Sequence, residues 1–177
     1  IKDQPTKKIK VGPAESMSKS KKNTIDPESM IENFGADAVR LFILSDSPPE
    51  KDVQWSEQGM VASHKFVQKL WLLNCKMKEK ISKCSDKKDQ EGDLEIEKFT
   101  NQLIFKMNNN LERFNYNVII ANMHETYNFL IKILDKEFNQ DILIKNFRKI
   151  LSVMYPVIPH IINECIESNN FEPIKEW

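Results

Sequence analysis

The sequence is poor in the residues that staple small folds together. Of 177 residues, three are cysteine and three are histidine. Cys75, Cys84 and Cys165 form no C-x-x-C pair, and His64, His124 and His160 are scattered, so neither a disulfide framework nor a zinc-ligand spacing is present and no metal site is expected. An odd cysteine count without such a framework fits a reducing, cytosolic setting. Apolar runs are short, Val118 to Ala121 being typical, and fall far below the roughly 18 residues of a membrane span. No charged-then-apolar signal segment opens the chain, so a cytoplasmic protein without membrane attachment is expected. Glycine is scarce too: Gly12, Gly35, Gly59 and Gly92 are the only four, and all lie at or near proposed breaks. No G-x-x-x-x-G-K-[ST] loop occurs, and no alternation of strands and helices would build a complete nucleotide-binding α/β domain. The chain begins at Ile1 and ends at Trp177, directly after Lys175-Glu176, which reads as a piece of a longer chain.

What is present suffices for a core. The chain is 40% hydrophobic and 29% charged, enough for one or two globular domains and inconsistent with a disordered tail. Its neutrality conceals an asymmetry. Lys2, Lys7, Lys8, Lys10, Lys19, Lys21 and Lys22 face only Asp3 and Glu15 in the first 23 residues, a surplus of five positive charges. With 26 basic and 26 acidic residues overall, the remainder carries five net negative charges.

Helical signals dominate the rest. Residues 7–11 suit a short strand, which Gly12-Pro13 breaks into a small, basic loop running to Asn23. Asp26-Pro27-Glu28 is a helix start, because aspartate accepts from free backbone N–H groups and proline suits the first turn. Gly35 closes that helix. Ala36 to Leu44 forms a second, stopped by Ser47-Pro48-Pro49. Ser56 caps a third, with Met60, His64, Val67 and Trp71 as its apolar face, ending near Ile81. The charged, apolar-poor stretch from Lys76 to Glu97, centred on 85–92, reads as a solvated connection. Phe99, Leu103, Met107, Leu111 and Phe114 define another helix. After Asn115-Tyr116-Asn117 the period returns with Ile120, Met123, Tyr127, Leu130, Ile131 and Leu134. Ile142, Phe147, Ile150, Leu151 and Met154 give the next, and Pro159 opens a last one with Ile161, Ile162 and Cys165. The fold class is therefore all-α, a helical bundle preceded by a short strand and a basic loop.

The loop is the first candidate site, although its residue types alone read more simply as a solvated basic linker. Ser16-Met17-Ser18-Lys19-Ser20-Lys21-Lys22-Asn23 combines compact mobile cations with hydroxyl donors, suited to negative charge developing on a transferred phosphoryl group. Ser-Met-Ser-Lys-Ser resembles the KMSKS signature of class I aminoacyl-tRNA synthetases. The continuation through Asn23-Thr24-Ile25-Asp26-Pro27, Phe34-Gly35-Ala36-Asp37 and Arg40 is similar to that family over an ordered stretch. Ser45 to Ser56, with Pro48-Pro49, Asp52 and Trp55, resembles the leucyl branch of the bacterial type. Arg113 to Asn117 and Tyr155 to Ile161 resemble its bundle turn and the start of its last bundle helix, so the likeness covers almost the whole chain.

That resemblance implies a loop that closes over ATP, with magnesium, while leucine attacks the α-phosphate to form leucyl-adenylate, later transferred to tRNA(Leu). By position Lys19 is the lysine that stabilises the transition state. Ser16, Met17, Ser18, Ser20 and Lys21 complete the ATP loop, with Met17 anchoring its hinge against the core. Ser16 stands where the signature has its first lysine, and Lys21 or Lys22 is the candidate replacement. The family's HIGH signature and its editing domain are absent, so a chain of this extent is not expected to aminoacylate alone. Residues 1–55 would form the loop and stem-contact region and 56–177 an anticodon-binding bundle, in a monomeric enzyme that retains no ATP in this portion.

Arg40, Lys65, Lys69, Arg113 and Arg148 are candidate phosphate contacts for tRNA, although cations spaced along helices are more simply a solvated face and the negative bundle argues against a broad cationic surface. His64 and His160 read as packed core histidines, Trp55 and Trp71 as core anchors. Asn108 to Asn110 read as a polar helix face. Cys84, in the charged connection, reads as exposed and oxidisable. The competing class of function is a stand-alone helical RNA-binding or protein-interaction module with a basic tail.

Overall fold

The computed structural model describes residues 12–45, 48–87 and 90–174. The strand expected over 7–11 lies outside them. Seven helices follow one another among the described residues: α1 (Pro27–Phe34), α2 (Ala36–Ser45), α3 (Glu57–Lys83), α4 (Asp93–Glu112), α5 (Tyr116–Ile133), α6 (Gln140–Met154) and α7 (Pro159–Ser168). The only β-type pairing among them is an isolated bridge between Ser85 and Asn139. The all-α expectation therefore stands.

Local chemistry accounts for the starts. Asp26 accepts from the Ser29 amide at 3.2 Å and the Ser29 hydroxyl at 2.7 Å, and Gly35 ends α1 at φ 82°, where a side chain is disfavoured. Ser56 accepts from the Gly59 amide at 3.1 Å and opens α3. Gly59 also lets α2 approach, since a Cβ there would lie 2.8 Å from the Phe42 ring.

The core runs between α3, α4, α5, α6 and α7, where Met77, Ile96, Met107, Met123, Phe147 and Ile150 are essentially inaccessible. The apolar face of α3 is rotated from the expected one. Met60 is buried, but Phe66, Leu70, Leu73 and Met77 carry the face, while Trp71 reaches solvent at its edge. Phe66, Leu70, Leu73 and Met77 lie roughly 110° around a 3.6-residue helix from Met60, so the later turns of α3 present a different face to the core and Trp71, nearly in line with Met60, is left at its edge. Trp55 is half-buried, edge-on to Phe42 at 5.2 Å.

The connection between α3 and α4 is shorter than its composition suggests. The α3 helix runs to Lys83, and α4 begins at Asp93. Charges near both ends sit on solvent faces and form ion pairs: Lys80 with Glu137 at 3.7 Å, and Glu95 with Lys136 at 2.6 Å. Met77 and Ile96 meanwhile point inward. A charged composition thus marked the outer face of helices rather than their absence.

This connection is also braced. The buried Asp93 carboxylate accepts from the Gln90 amide at 2.9 Å and from the Asn139 amide at 2.8 Å. The Gly92 amide donates to the Glu137 carbonyl and the Gln140 amide to the Ser85 carbonyl. Gly92 has φ −79°, so its need is steric: a Cβ would meet the Phe138 ring at 2.1 Å. Cys84 is accordingly half-buried, not exposed. Burial pushes its thiol pKa up, which lowers the thiolate fraction that oxidation requires. Cys165, buried in α7, is pushed up to about 12, chiefly by burial.

Candidate functional site

Two arrangements lie on the segment that the motifs single out. The first is the loop before α1. Among the described residues its bonds are almost wholly internal: the Ser18 amide donates to Asn23 Oδ1 at 2.8 Å, Asn23 Nδ2 to the Ser16 carbonyl at 3.4 Å, and the Lys21 amide to the Ser18 hydroxyl at 3.3 Å. The Ser18 and Ser20 hydroxyls are 3.2 Å apart. The Lys21 and Lys22 amides close the turn onto the Ser18 and Lys19 carbonyls, both at 3.2 Å. Lys22 adopts φ 54°, the left-handed region.

The loop cations differ in their surroundings. Lys21 Nζ meets Glu15 at 2.9 Å in an exposed pair, so part of its charge is answered locally. Lys19 projects into solvent from the tip of the turn. Met17 is 46% exposed, so it does not anchor the loop against the core.

The second arrangement joins α2 to the opposite end of the chain. The Asp37 carboxylate is 5% exposed. It accepts from the Ile161 amide at 2.7 Å, the His160 amide at 3.4 Å and His160 Nδ1 at 2.9 Å. These are first-turn donors of α7, whose preceding residue, Ile158, offers no side-chain cap. One turn along α2, Arg40 donates from Nε to the Val157 carbonyl at 2.8 Å and from its terminal nitrogen to the Pro156 carbonyl at 2.6 Å. An acid and a base at i and i+3 thus grip the two polarities of one turn. His160 is therefore not a packed core histidine: its side chain is 71% exposed and serves as the partner of a buried carboxylate.

The candidate phosphate contacts separate in the same way. Arg40 is occupied by those carbonyls, and Arg148 donates to the Glu172 carbonyl at 3.3 and 3.4 Å. Lys65, Lys69 and Arg113 are exposed. His64 joins α1 to α3, its Nδ1 being 2.9 Å from the Phe34 carbonyl and its Nε2 3.0 Å from Gln68. His124 lies over Phe66 with ring centroids 3.9 Å apart. Burial first, and the Lys69 charge second, hold its pKa below the usual imidazole value.

Sequence reasoning missed Asn23, Glu15 and Asp37 as working side chains. Asn23 had a local signal, an Asx residue closing a polar turn. Asp37 had none, because its donors lie 123 and 124 positions away. Among the described residues no group of histidine, cysteine and carboxylate side chains could hold a metal ion, and no helix is long and apolar enough to cross a membrane.

Two family models match the chain: class I tRNA synthetases for isoleucine, leucine, methionine and valine over residues 10–56, and the anticodon-binding domain of tRNA ligases over residues 93–175. A leucine–tRNA ligase of Bartonella henselae is 36% identical over 165 residues, covering 89% of this chain and 18% of that protein. One from a Chelativorans species is 38% identical over 165 residues, covering 90% and 19%. A crystal structure of a ternary complex of an Agrobacterium radiobacter LeuRS with tRNA and LeuAMS superposes with a TM-score of 0.78 at 25% identity, covering 89% of this chain and 21% of that one. The chain thus spans about a fifth of the length of the relatives it matches.

Proposed function

We infer the function of this chain from its homology to one segment of the leucine–tRNA ligases, running from the KMSKS loop through the anticodon-binding helices. The intact protein is an ATP-dependent ligase that activates leucine to leucyl-adenylate and transfers it to tRNA(Leu). Residues 1–55 supply the ATP-site loop and stem-contact helices, and 56–177 the anticodon-binding bundle. The reading of a stand-alone interaction module is not favoured, because the resemblance extends through the loop and the bundle alike.

The observation that carries the catalytic assignment is the placement of Lys19. It sits at the tip of a self-bonded turn, exposed, in register with the lysine of the signature. An ammonium held there would meet the charge that develops on the α-phosphate as pyrophosphate departs. Ser18 and Ser20 shape the turn, while Ser16 contributes its carbonyl to loop closure. Magnesium belongs to the nucleotide, held by its phosphates, and the described residues supply no cluster for it. The exposed Lys65, Lys69 and Arg113 are the side chains free to approach tRNA phosphates; Arg40 and Arg148 act first on this chain's own backbone.

The test is amino-acid-dependent ATP–pyrophosphate exchange by the intact ligase with leucine, isoleucine, valine and methionine. Leucine-selective exchange is expected, with Lys19→Ala lowering kcat by about a hundredfold or more. Selectivity for another amino acid, or exchange indifferent to Lys19, would overturn the reading.

A further inference from the structure

We infer that Asn23 is a positioning residue for Lys19, an inference that rests on the loop's proposed role at ATP. The Asn23 carboxamide spans the loop. Its oxygen receives the Ser18 amide at 2.8 Å and its nitrogen reaches the Ser16 carbonyl at 3.4 Å. Residues 16 and 18 are thereby tied to residue 23, and Lys19 to Lys22 are forced out as a compact turn closed by the Lys21 and Lys22 amides. No core contact does this work. Ser16, Met17, Lys19, Ser20, Lys21, Lys22 and Asn23 are all exposed, so the shape of the turn depends on bonds within it.

Lys19 is the residue whose direction this shape decides. It lies between Ser18, whose amide the carboxamide holds, and Ser20, whose hydroxyl meets that of Ser18. Lys21 is held separately by Glu15. The turn therefore sorts its cations: Lys21 is tethered back along the chain, and Lys19 is presented outward. Without Asn23, the Ser18 amide turns to water and the four-carbon lysine stem samples many directions, which weakens electrostatic stabilisation that depends on a prearranged charge.

The experiment compares wild type, Lys19→Ala, Asn23→Ala and Asn23→Asp in the intact ligase, following leucine-dependent ATP–pyrophosphate exchange, the thermal midpoint and hydrogen exchange at the Ser18 amide. Asn23→Ala should lower kcat about tenfold, leave KM for leucine and the thermal midpoint unchanged, and speed exchange of the Ser18 amide. Asn23→Asp keeps an oxygen for that amide and should recover a measurable part of both losses. Normal kcat in Asn23→Ala alongside an impaired Lys19→Ala would overturn the inference while leaving the function intact. A fall in kcat matched by a fall in thermal midpoint would also overturn it, marking a merely structural residue. Undiminished exchange in Lys19→Ala would instead remove the catalytic reading of the loop, and the inference with it.

Discussion

The loop and the braces at the bundle's ends are built from similar polar groups to opposite purposes. In the loop, hydrogen bonds link residues at most seven positions apart, and nearly every partner is exposed. At the clamp, Asp37 and Arg40 reach partners 116 to 124 positions away, and the carboxylate is buried. Local exposed bonds compete with water and hold a shape weakly, whereas distant buried ones must be made or leave a donor stranded. One region is therefore held only by bonds that water can replace, and the other by bonds that tie distant parts of the chain together.

The contrast can be broken hardest at the α3–α4 connection. Gly92→Ala places a methyl within the Phe138 ring, and overpacking with displacement of a buried aromatic should cost roughly 3 kcal/mol, read by urea denaturation. Asp37→Ala comes next. The half-buried Ile161 amide loses its acceptor, and a loss of about 1–3 kcal/mol is expected by the same measurement, with kinetics of the loop unaffected except through unfolding. If Asp37→Ala proved neutral, the clamp would be no firmer than the loop, and the comparison would fail.

Smaller changes sharpen it. Lys22→Gly should make the turn easier to form, by about 1 kcal/mol, because a side chain at φ 54° is disfavoured. Amide exchange at Lys21 and Lys22 should slow, with little change in global stability. His124 gives the bundle a pH signature. Its folded pKa is depressed, so its contribution is complete above the unfolded imidazole value near 6.5 and is lost as pH falls below it. Thermal midpoints of wild type and His124→Gln should therefore diverge less at pH 5.5 than at pH 8. Glu15→Gln removes only an exposed ion pair and should change stability by less than about 0.5 kcal/mol, measured by thermal melting.

Legibility followed the same divide. Where a bond joins residues close in sequence, its residue types announce it: Asp26-Pro27 and Ser56 started helices as expected, and the order of helices was readable from apolar period. Element ends were less so, because Lys80 and Glu95 look alike in a loop and on a solvent-facing helix. Long-range polar contacts were illegible. Asp37 and Arg40 could be recognised as part of a family pattern, but not as the cap and the carbonyl grip of a turn more than a hundred residues later. His160 between Pro159 and Ile161 looked like core for the same reason. In the loop, the resemblance to the signature singled out Lys19 as the candidate cation but gave no sign of the Asn23 carboxamide that ties the turn together.

The Asp37 contact also has a direction in time. A ribosome delivers α2 long before α7, so the carboxylate exists well ahead of the amides it will cap. Until they arrive it stays hydrated, and the α2 surface is an unfilled berth that only the end of this stretch of chain completes. The start of α7 is thus written in a part of the protein already made. Nascent chains halted before Ile161 should leave that berth vacant, and chains extended past α7 should close it.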